Sequence, residues 1–357
     1  MRGVRAGGAS VFARIQLLVT ETGSTSSPET SAHNMLFGAE LQAGGGVRFR
    51  IFAPAADRVA LRIEGRDGDQ PLLKVDDSWF ERTDPDARAG TLYRFVLPDG
   101  TPVADPASRF QPQDVHGPSE VIDPRAFTWT DKGWQGRPWS QAVLYELHIG
   151  TFTPEGTFAA ATEKLQSLAD IGITAIEIMC LADFAGNRNW GYDSVLLYAP
   201  DATYGRPEDL KRFIDTAHHH GVQVILDVVY NHFGPEGNDL PKYFPQMLTK
   251  DHCTPWGDAL NFDEERSGSC AKQVRELILQ NALYWVEEYH IDGLRLDAAH
   301  AIIDEGKIHV LDEMALRVRE FGAAQQPPRH IHLIREDEQN IAQKLLRNEQ
   351  GHCEKFT

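Results

Sequence analysis

The sequence predicts two folded parts, a small all-β sandwich followed by an α/β domain built on a parallel sheet. Three observations carry this. Apolar and polar residues alternate with a period of two in segments between Val47 and Leu97. From Ala142 onward the pattern changes to strand, helix, strand. Polar residues then gather just past the C-terminal ends of three of those strands, at 227–232, 297–300 and 336–337, where a parallel barrel keeps its chemistry. At about 150 residues per domain, 357 residues suffice for two domains.

Composition narrows the function classes. Hydrophobic residues make up 41% and charged residues 24%, an ordinary globular balance. No run approaches the ~20 apolar residues of a membrane helix. The net charge of −17 repels phosphate backbones, so nucleic acid is not the expected partner. Cys180, Cys253, Cys270 and Cys353 form no C-x-x-C pair, which argues against a disulfide scaffold and suits a reducing cytoplasm.

Taken in order, residues 1–34 read as a disordered leader. Arg14 and Gln16 interrupt the apolar run that an export signal of about 7–15 residues needs. The stretch 21–34 is rich in Ser and Thr without aromatics, and translation starting at Met35 would omit it altogether. Over 35–123, Val47, Phe49 and Ile51 alternate with Arg48 and Arg50, and Val59, Leu61 and Ile63 alternate likewise. Residues 92–97 form a further strand closed by the Pro98-Asp99-Gly100 turn. Residues 124–139, with Trp129, Trp134 and Trp139, read as a packed linker and not as a glycan platform.

Residues 140–357 form the α/β domain. Strands are predicted at 142–149, 174–179, 222–230, 291–298 and 331–336. Helices are predicted at 158–171 with Thr157 as N-cap and Gly172 as stop, at 207–220 with Pro207 first and Gly221 as stop, at 272–289 and at 309–321. A nearly continuous apolar strand such as 222–230 is buried on both faces. From the residues alone, a barrel and an open sheet both remain possible.

Arg295 and Asp297 are two apart on a strand and therefore point to the same side, so the guanidinium charge favours Asp297 as a carboxylate. An ionised Asp opposite a protonated Glu is the pair that retaining glycoside hydrolysis uses, with the carboxyls about 5–5.5 Å apart. Each piece also has a plainer reading. Arg295–Asp297 suits a structural ion pair, Asn231-His232 a turn, and Glu336 a solvated strand end. Three strand tips in succession carrying matching groups favour the site.

The sequence carries Asp227-x-x-x-Asn231-His232, Gly293-x-Arg295-x-Asp297 and a Glu on the next strand. It also carries Leu144-Tyr-Glu-Leu-His-Ile-Gly-Thr-Phe-Thr153, Asn189-Trp-Gly-Tyr-Asp193, Tyr204-Gly-Arg-Pro-Glu-Asp-Leu210 and Thr254-Pro-Trp-Gly257. Together these resemble glycoside hydrolase family 13, the α-amylase superfamily. Within it the block from Asp227 to Asn238, with His300, is similar to the malto-oligosyltrehalose trehalohydrolases. The resemblance runs from about Met35 to Glu336.

The resemblance implies an immunoglobulin-like, carbohydrate-binding-like sandwich ahead of a (β/α)8 catalytic barrel. It implies hydrolysis of the α-1,4-glucosidic bond next to the terminal trehalose of maltooligosyl trehalose. Asp297 then matches the nucleophile, Glu336 the general acid/base, and Arg295 the residue that orients Asp297. Asp227 would hold Arg295. His232 would bind a hydroxyl of the sugar being cleaved, and Tyr192 would stack on that sugar beside Trp190 and Asp193. His300 would lie where the leaving trehalose sits. A 1,4-α-glucan branching enzyme and a non-catalytic α-glucan-binding fragment are the competing readings.

No cofactor is expected, and no metal. Asn231 aligns with a calcium-binding position of some superfamily members but makes no site alone. His218, His219 and His220 are consecutive and share no helix face. Gly44–Gly46 is a turn without the Lys-Ser/Thr of a phosphate loop.

Departures from the family pattern are also legible. A closed barrel has eight strands, and the sequence shows about five. The family's third carboxylate, an Asp on a later strand, has no counterpart, which suggests truncation or a frameshift. Strands 142–149 and 331–336 are then expected to be unpaired edges, with low solubility or homodimer formation through them and little hydrolysis by this chain. Cys180-Leu181 replaces a proline-containing pair, Ser194 a glycine, and Asp239 an aromatic.

Overall fold

The computed structural model describes residues 30–264, 268–339, 341–346 and 355–357. Most of the predicted leader, residues 1–29, lies outside them.

The first part contains nine strands in two antiparallel sheets. They are β1 (Gly38–Leu41), β2 (Val47–Phe52), β3 (Ala60–Ile63), β4 (Gln70–Pro71), β5 (Leu73–Lys74), β6 (Trp79–Asp84), β7 (Leu92–Val96), β8 (Pro102–Val103) and β9 (Ser119–Glu120). One sheet runs β1-β2-β6-β5; the other runs β4-β3-β7-β8, with β9 on β7. The alternation read in the sequence is the reason for the core. Val47, Phe49 and Ile51 are buried while Arg48 and Arg50 face outward, and Phe49 meets Tyr93 of the other sheet edge-on at 4.7 Å.

The second part is built on five parallel strands in the order β10-β11-β14-β17-β18. These are β10 (Leu144–Leu147), β11 (Ala175–Ile178), β14 (Gln223–Val228), β17 (Gly293–Leu296) and β18 (His332–Arg335), each inside a predicted strand. Their crossovers carry α1 (Phe158–Thr162), α2 (Leu165–Asp170), α3 (Pro207–His219), α4 (Ser269–Glu288) and α5 (Val310–Ala324). Thr157 caps α1 as predicted, accepting from the Ala160 amide. Helix α3 begins on Pro207 with Glu208 and Asp209 in its first turn, where the helix dipole favours acids.

Several expectations are corrected. The single helix predicted over 158–171 is two, because Thr162 Oγ1 donates to the Phe158 carbonyl at 2.8 Å and the chain turns at Glu163 and Lys164. The loops at 180–206 and 231–271 contain hairpins, β12 (Ala182–Asp183) with β13 (Leu196–Pro200), and β15 (Leu248–Thr254) with β16 (Gly257–Leu260). Residues 31–33, assigned to the disordered leader, are docked on α4. His33 bonds Glu287 at 2.6 Å and Gln280 at 2.9 Å, and its amide donates to Glu288. Strand 331–336 lies at the far edge of the sheet as expected, but its outer side is partly occupied among the described residues. The amides of His332 and Glu336 face β17, so Leu333 faces outward, and its carbonyl accepts the Thr357 amide at 2.7 Å over a buried Phe356. Among the described residues the outer side of β10 has no strand partner, and Val143, Leu144 and Tyr145 are exposed there.

The linker straps the N-terminal end of this sheet. Trp129 stacks on His290, Trp134 on His218, and Trp139 packs tilted on His332. Asp131 bonds both His218 and His290 at 2.8 Å, and Asp292 takes the other nitrogen of His218 at 2.9 Å. A second buried cluster joins the two parts, where Arg109 and Lys211 converge on Glu288. No helix among the described residues is long and apolar enough to cross a membrane.

Candidate active site

The opposite, C-terminal end of the sheet assembles the carboxylates. Register places Asp227 of β14 directly beside Arg295 of β17. Asp297 follows two residues later on the same side of the strand, and Glu336 is the first residue past β18. One guanidinium joins all three acids. Arg295 Nη1 donates to Asp227 Oδ1 and Oδ2 at 2.9 and 2.8 Å and to Asp297 Oδ1 at 2.7 Å. Its Nη2 lies 2.8 Å from Glu336 Oε2.

Burial distinguishes the three acids. The Asp227 side chain is fully buried, whereas that of Glu336 is 47% exposed. Burial pushes the Asp227 carboxyl up to about 7, against the pull of Arg295 and of the Tyr192 hydroxyl, which donates to Oδ2 at 2.9 Å. Arg295 is itself partly buried, which disfavours its charge, but Asp227, Glu336 and Asp297 outweigh that and hold it above the usual range. Glu177 on β11 is raised by burial, with Glu146 and Glu336 adding to it and Arg295 opposing.

Tyr192 thus approaches the cluster through its hydroxyl, leaving its half-buried ring at the cleft. Trp190 and Asp193 sit on the same loop, held by Asn189, whose Nδ2 donates to Asp193 Oδ2 at 3.1 Å. His148 supports that loop from β10. Its Nε2 lies 2.8 Å from the Asn189 carbonyl, and its ring meets exposed Trp190 edge-on. His232 lies against Asn231 through Nδ1 and 3.0 Å from the Tyr192 carbonyl through Nε2. His300 stands on the turn past Ala298, and its buried Nδ1 has no hydrogen-bond partner among the described residues. It joins none of the three carboxylates directly.

Two contributors were not legible beforehand. Asn231, part of the Asp227–His232 motif but given no role beyond a turn or a calcium position, donates through Nδ2 to the Asp297 carbonyl at 2.9 Å and to Oδ2 at 3.1 Å. Trp256, noted only within a motif, stacks on His232 at 5.3 Å and is half exposed. The departures at Cys180 and Ser194 are neighbours in space, their buried side chains touching, Sγ to Oγ at 3.8 Å. Among the described residues, no group of three His, Cys, Asp or Glu side chains is arranged to hold a metal ion.

Comparison with known proteins agrees with this arrangement. The α-amylase catalytic domain family matches residues 99–251. The chain is 44% identical over 301 residues to the malto-oligosyltrehalose trehalohydrolase of Deinococcus radiodurans, covering 84% of the chain and 47% of that protein. A 1,4-alpha-glucan branching enzyme of Photobacterium profundum is less similar, 32% identical over 277 residues, 72% of the chain and 39% of that enzyme. A crystal structure from Salmonella typhimurium, assigned as an alpha amylase, matches with a TM-score of 0.85 at 48% identity, covering 91% of this chain and 53% of that one. The chain spans about half the length of the curated relatives it matches. Shared motifs, the fold that presents them and the likeness across most of its length agree: the chain belongs to the malto-oligosyltrehalose trehalohydrolase family of the α-amylase superfamily.

Proposed function

We propose that this site hydrolyses the α-1,4-glucosidic bond beside the terminal trehalose of maltooligosyl trehalose, with retention at the anomeric carbon. The observation that carries the reading is the single Arg295 guanidinium shared by Asp227, Asp297 and Glu336. Bridging by one guanidinium keeps Asp297 and Glu336 at close range, as a covalent glycosyl intermediate requires. Asp297 attacks the anomeric carbon while Glu336 gives its proton to the departing trehalose oxygen. Glu336 then takes a proton from water, and the resulting hydroxide displaces Asp297 to release the maltooligosaccharide.

The likeness to trehalohydrolases, stronger than that to a branching enzyme, favours hydrolysis over transfer. The domain division at 35–123, 124–139 and 140–357 and a cytoplasmic location belong to the same reading. So does pairing of two copies through the open side of β10.

The test is incubation with maltooligosyl trehalose. Trehalose release with the α-anomer of the glucan formed first, lost in Glu336→Gln, supports the proposal. New α-1,6 branches from amylose would favour the branching reaction instead. Glucan binding with no turnover, identical in the variant, would favour a binding fragment.

A further inference from the structure

The residue after the proposed nucleophile has an unusual backbone. Ala298 sits at φ 40° and ψ 48°, the left-handed region that an alanine seldom adopts. It is held there from both sides. The Asp297 amide donates to the Val228 carbonyl at 3.1 Å, the Ala299 amide to the Glu336 carbonyl at 2.9 Å, and the Ala301 amide to the Ala298 carbonyl at 2.8 Å. This turn aims the Ala298 amide across to the next strand, where it donates to Glu336 Oε2 at 2.9 Å.

Arg295 Nη2 lies 2.8 Å from that same oxygen. Oε2 of Glu336 therefore receives two donors, one of them cationic, and a proton placed on it would face both. No hydrogen bond to Oε1 is seen among the described residues, and the side chain is half open to the cleft. Strain of this kind persists only where the surroundings over-determine it, and here it ties the two carboxyl groups to one another.

We infer that the main-chain amide of Ala298 is a positioning group for Glu336, which together with Arg295 reserves Oε2 as an acceptor and makes Oε1 the oxygen that carries the transferred proton. This rests on reading Glu336 as the acid/base. Ala298 itself touches neither substrate nor the reacting atoms. Its position directly after Asp297 means that the segment presenting the nucleophile also sets the orientation of its partner.

The experiment uses the whole chain labelled with 15N-alanine. The Ala298 amide is assigned by its loss in Ala298→Gly, a change that tolerates the left-handed turn. Across a pH titration its resonance is expected to shift as Glu336 ionises, and that shift is expected to vanish in Glu336→Gln while other alanine amides stay in place. In Ala298→Val, whose branched side chain resists the turn and which is labelled with 15N-valine instead, the amide at 298 is expected to lose the titration. An Ala298 amide that does not move with pH, or that moves alike in wild type and Glu336→Gln, overturns the inference. The readout needs no turnover. Failure to release trehalose counts against the hydrolase reading alone, and a silent amide counts against this inference alone.

Discussion

Gly234 packs against the main chain of Asp193 so closely that a β-carbon on it would stand 1.8 Å from the Asp193 carbonyl oxygen. Its amide donates to the Ser194 carbonyl at 2.9 Å. The loop bearing Tyr192 is thereby seated on the loop that follows Asn231 and His232. Gly234→Ala must separate the two, and overpacking of this type costs about 1–3 kcal/mol. The expected outcome is a lowered unfolding midpoint and weakened maltooligosaccharide binding, measured by denaturant titration and calorimetry. A variant equal to wild type in both would show that the loops separate freely.

Removing Arg295 should unbalance a buried acid. Arg295→Met leaves Asp227 without its cation, and breaking a buried pair from one side costs about 3–5 kcal/mol. Because Asp227 is the fully buried partner, adding Asp227→Asn should recover part of the loss. Unfolding free energies of the two single variants and the double variant check this. A strictly additive cycle would argue against the pairing.

The strap at the other end of the sheet should respond to pH. Burial disfavours the charge on His218, but Asp292 and Asp131 outweigh it and raise its pKa. Its stabilising charge is fully present below about 6.5, the unfolded value, and is lost as pH rises through the folded value. Asp131 and Asp292 are buried, which acts against their charge, yet their histidine and Arg329 partners hold both low. Their contribution is present above about 4 and disappears on acidification through the folded values. His290 is lowered by burial, so it also disfavours folding as it is forced to protonate in acid. The expected signature is a fall in unfolding midpoint as pH rises past the folded pKa of His218, flattened in His218→Gln. An unchanged profile in that variant would assign the dependence to other groups.

Thiol reactivity should separate the cysteines. Burial pushes the Cys180 thiol up to about 12, and it lies under the Tyr192 loop against Ser194, whereas Cys253 is exposed. Iodoacetamide at neutral pH should label Cys253 in the native protein and reach Cys180 only on unfolding. Native labelling of Cys180, read by mass spectrometry, would mean that the loop opens readily.

Association through β10 is expected to depend on its apolar exposure. Val143, Leu144 and Tyr145 are all more than a third exposed, at or just before a strand whose outer backbone is unpaired among the described residues. Leu144→Lys should lower concentration-dependent association in sedimentation velocity. Association unaffected by this change would place any contact elsewhere.

The sequence displayed what short-range periodicity controls. The alternation at Val47, Phe49 and Ile51 and the apolar run at 223–228 locate strands because burial on one face or two leaves a direct imprint. The Arg295–Asp297 contact follows from a spacing of two on a strand. The hairpins at 182–200 and 248–260 leave no such imprint, being short and partly polar. His33 was invisible for a different reason, since its partner Glu287 is 254 positions away. Asn231 and Ala298 act through bonds to or from main-chain atoms set by loop conformation, which residue type does not encode.

The strap of Trp129, Trp134 and Trp139 over His290, His218 and His332 gives the two ends of the sheet separate duties. The strap adds cohesion at the end away from the carboxylates, so the loops around Arg295 do not carry the whole task of holding the sheet together. Under the proposed hydrolysis, substitutions and insertions in those loops would retune which glucan is accepted while the scaffold keeps its shape. The same partition supplies an engineering rule: redesign of selectivity belongs at 189–193 and 231–260, and thermal hardening belongs at 127–139.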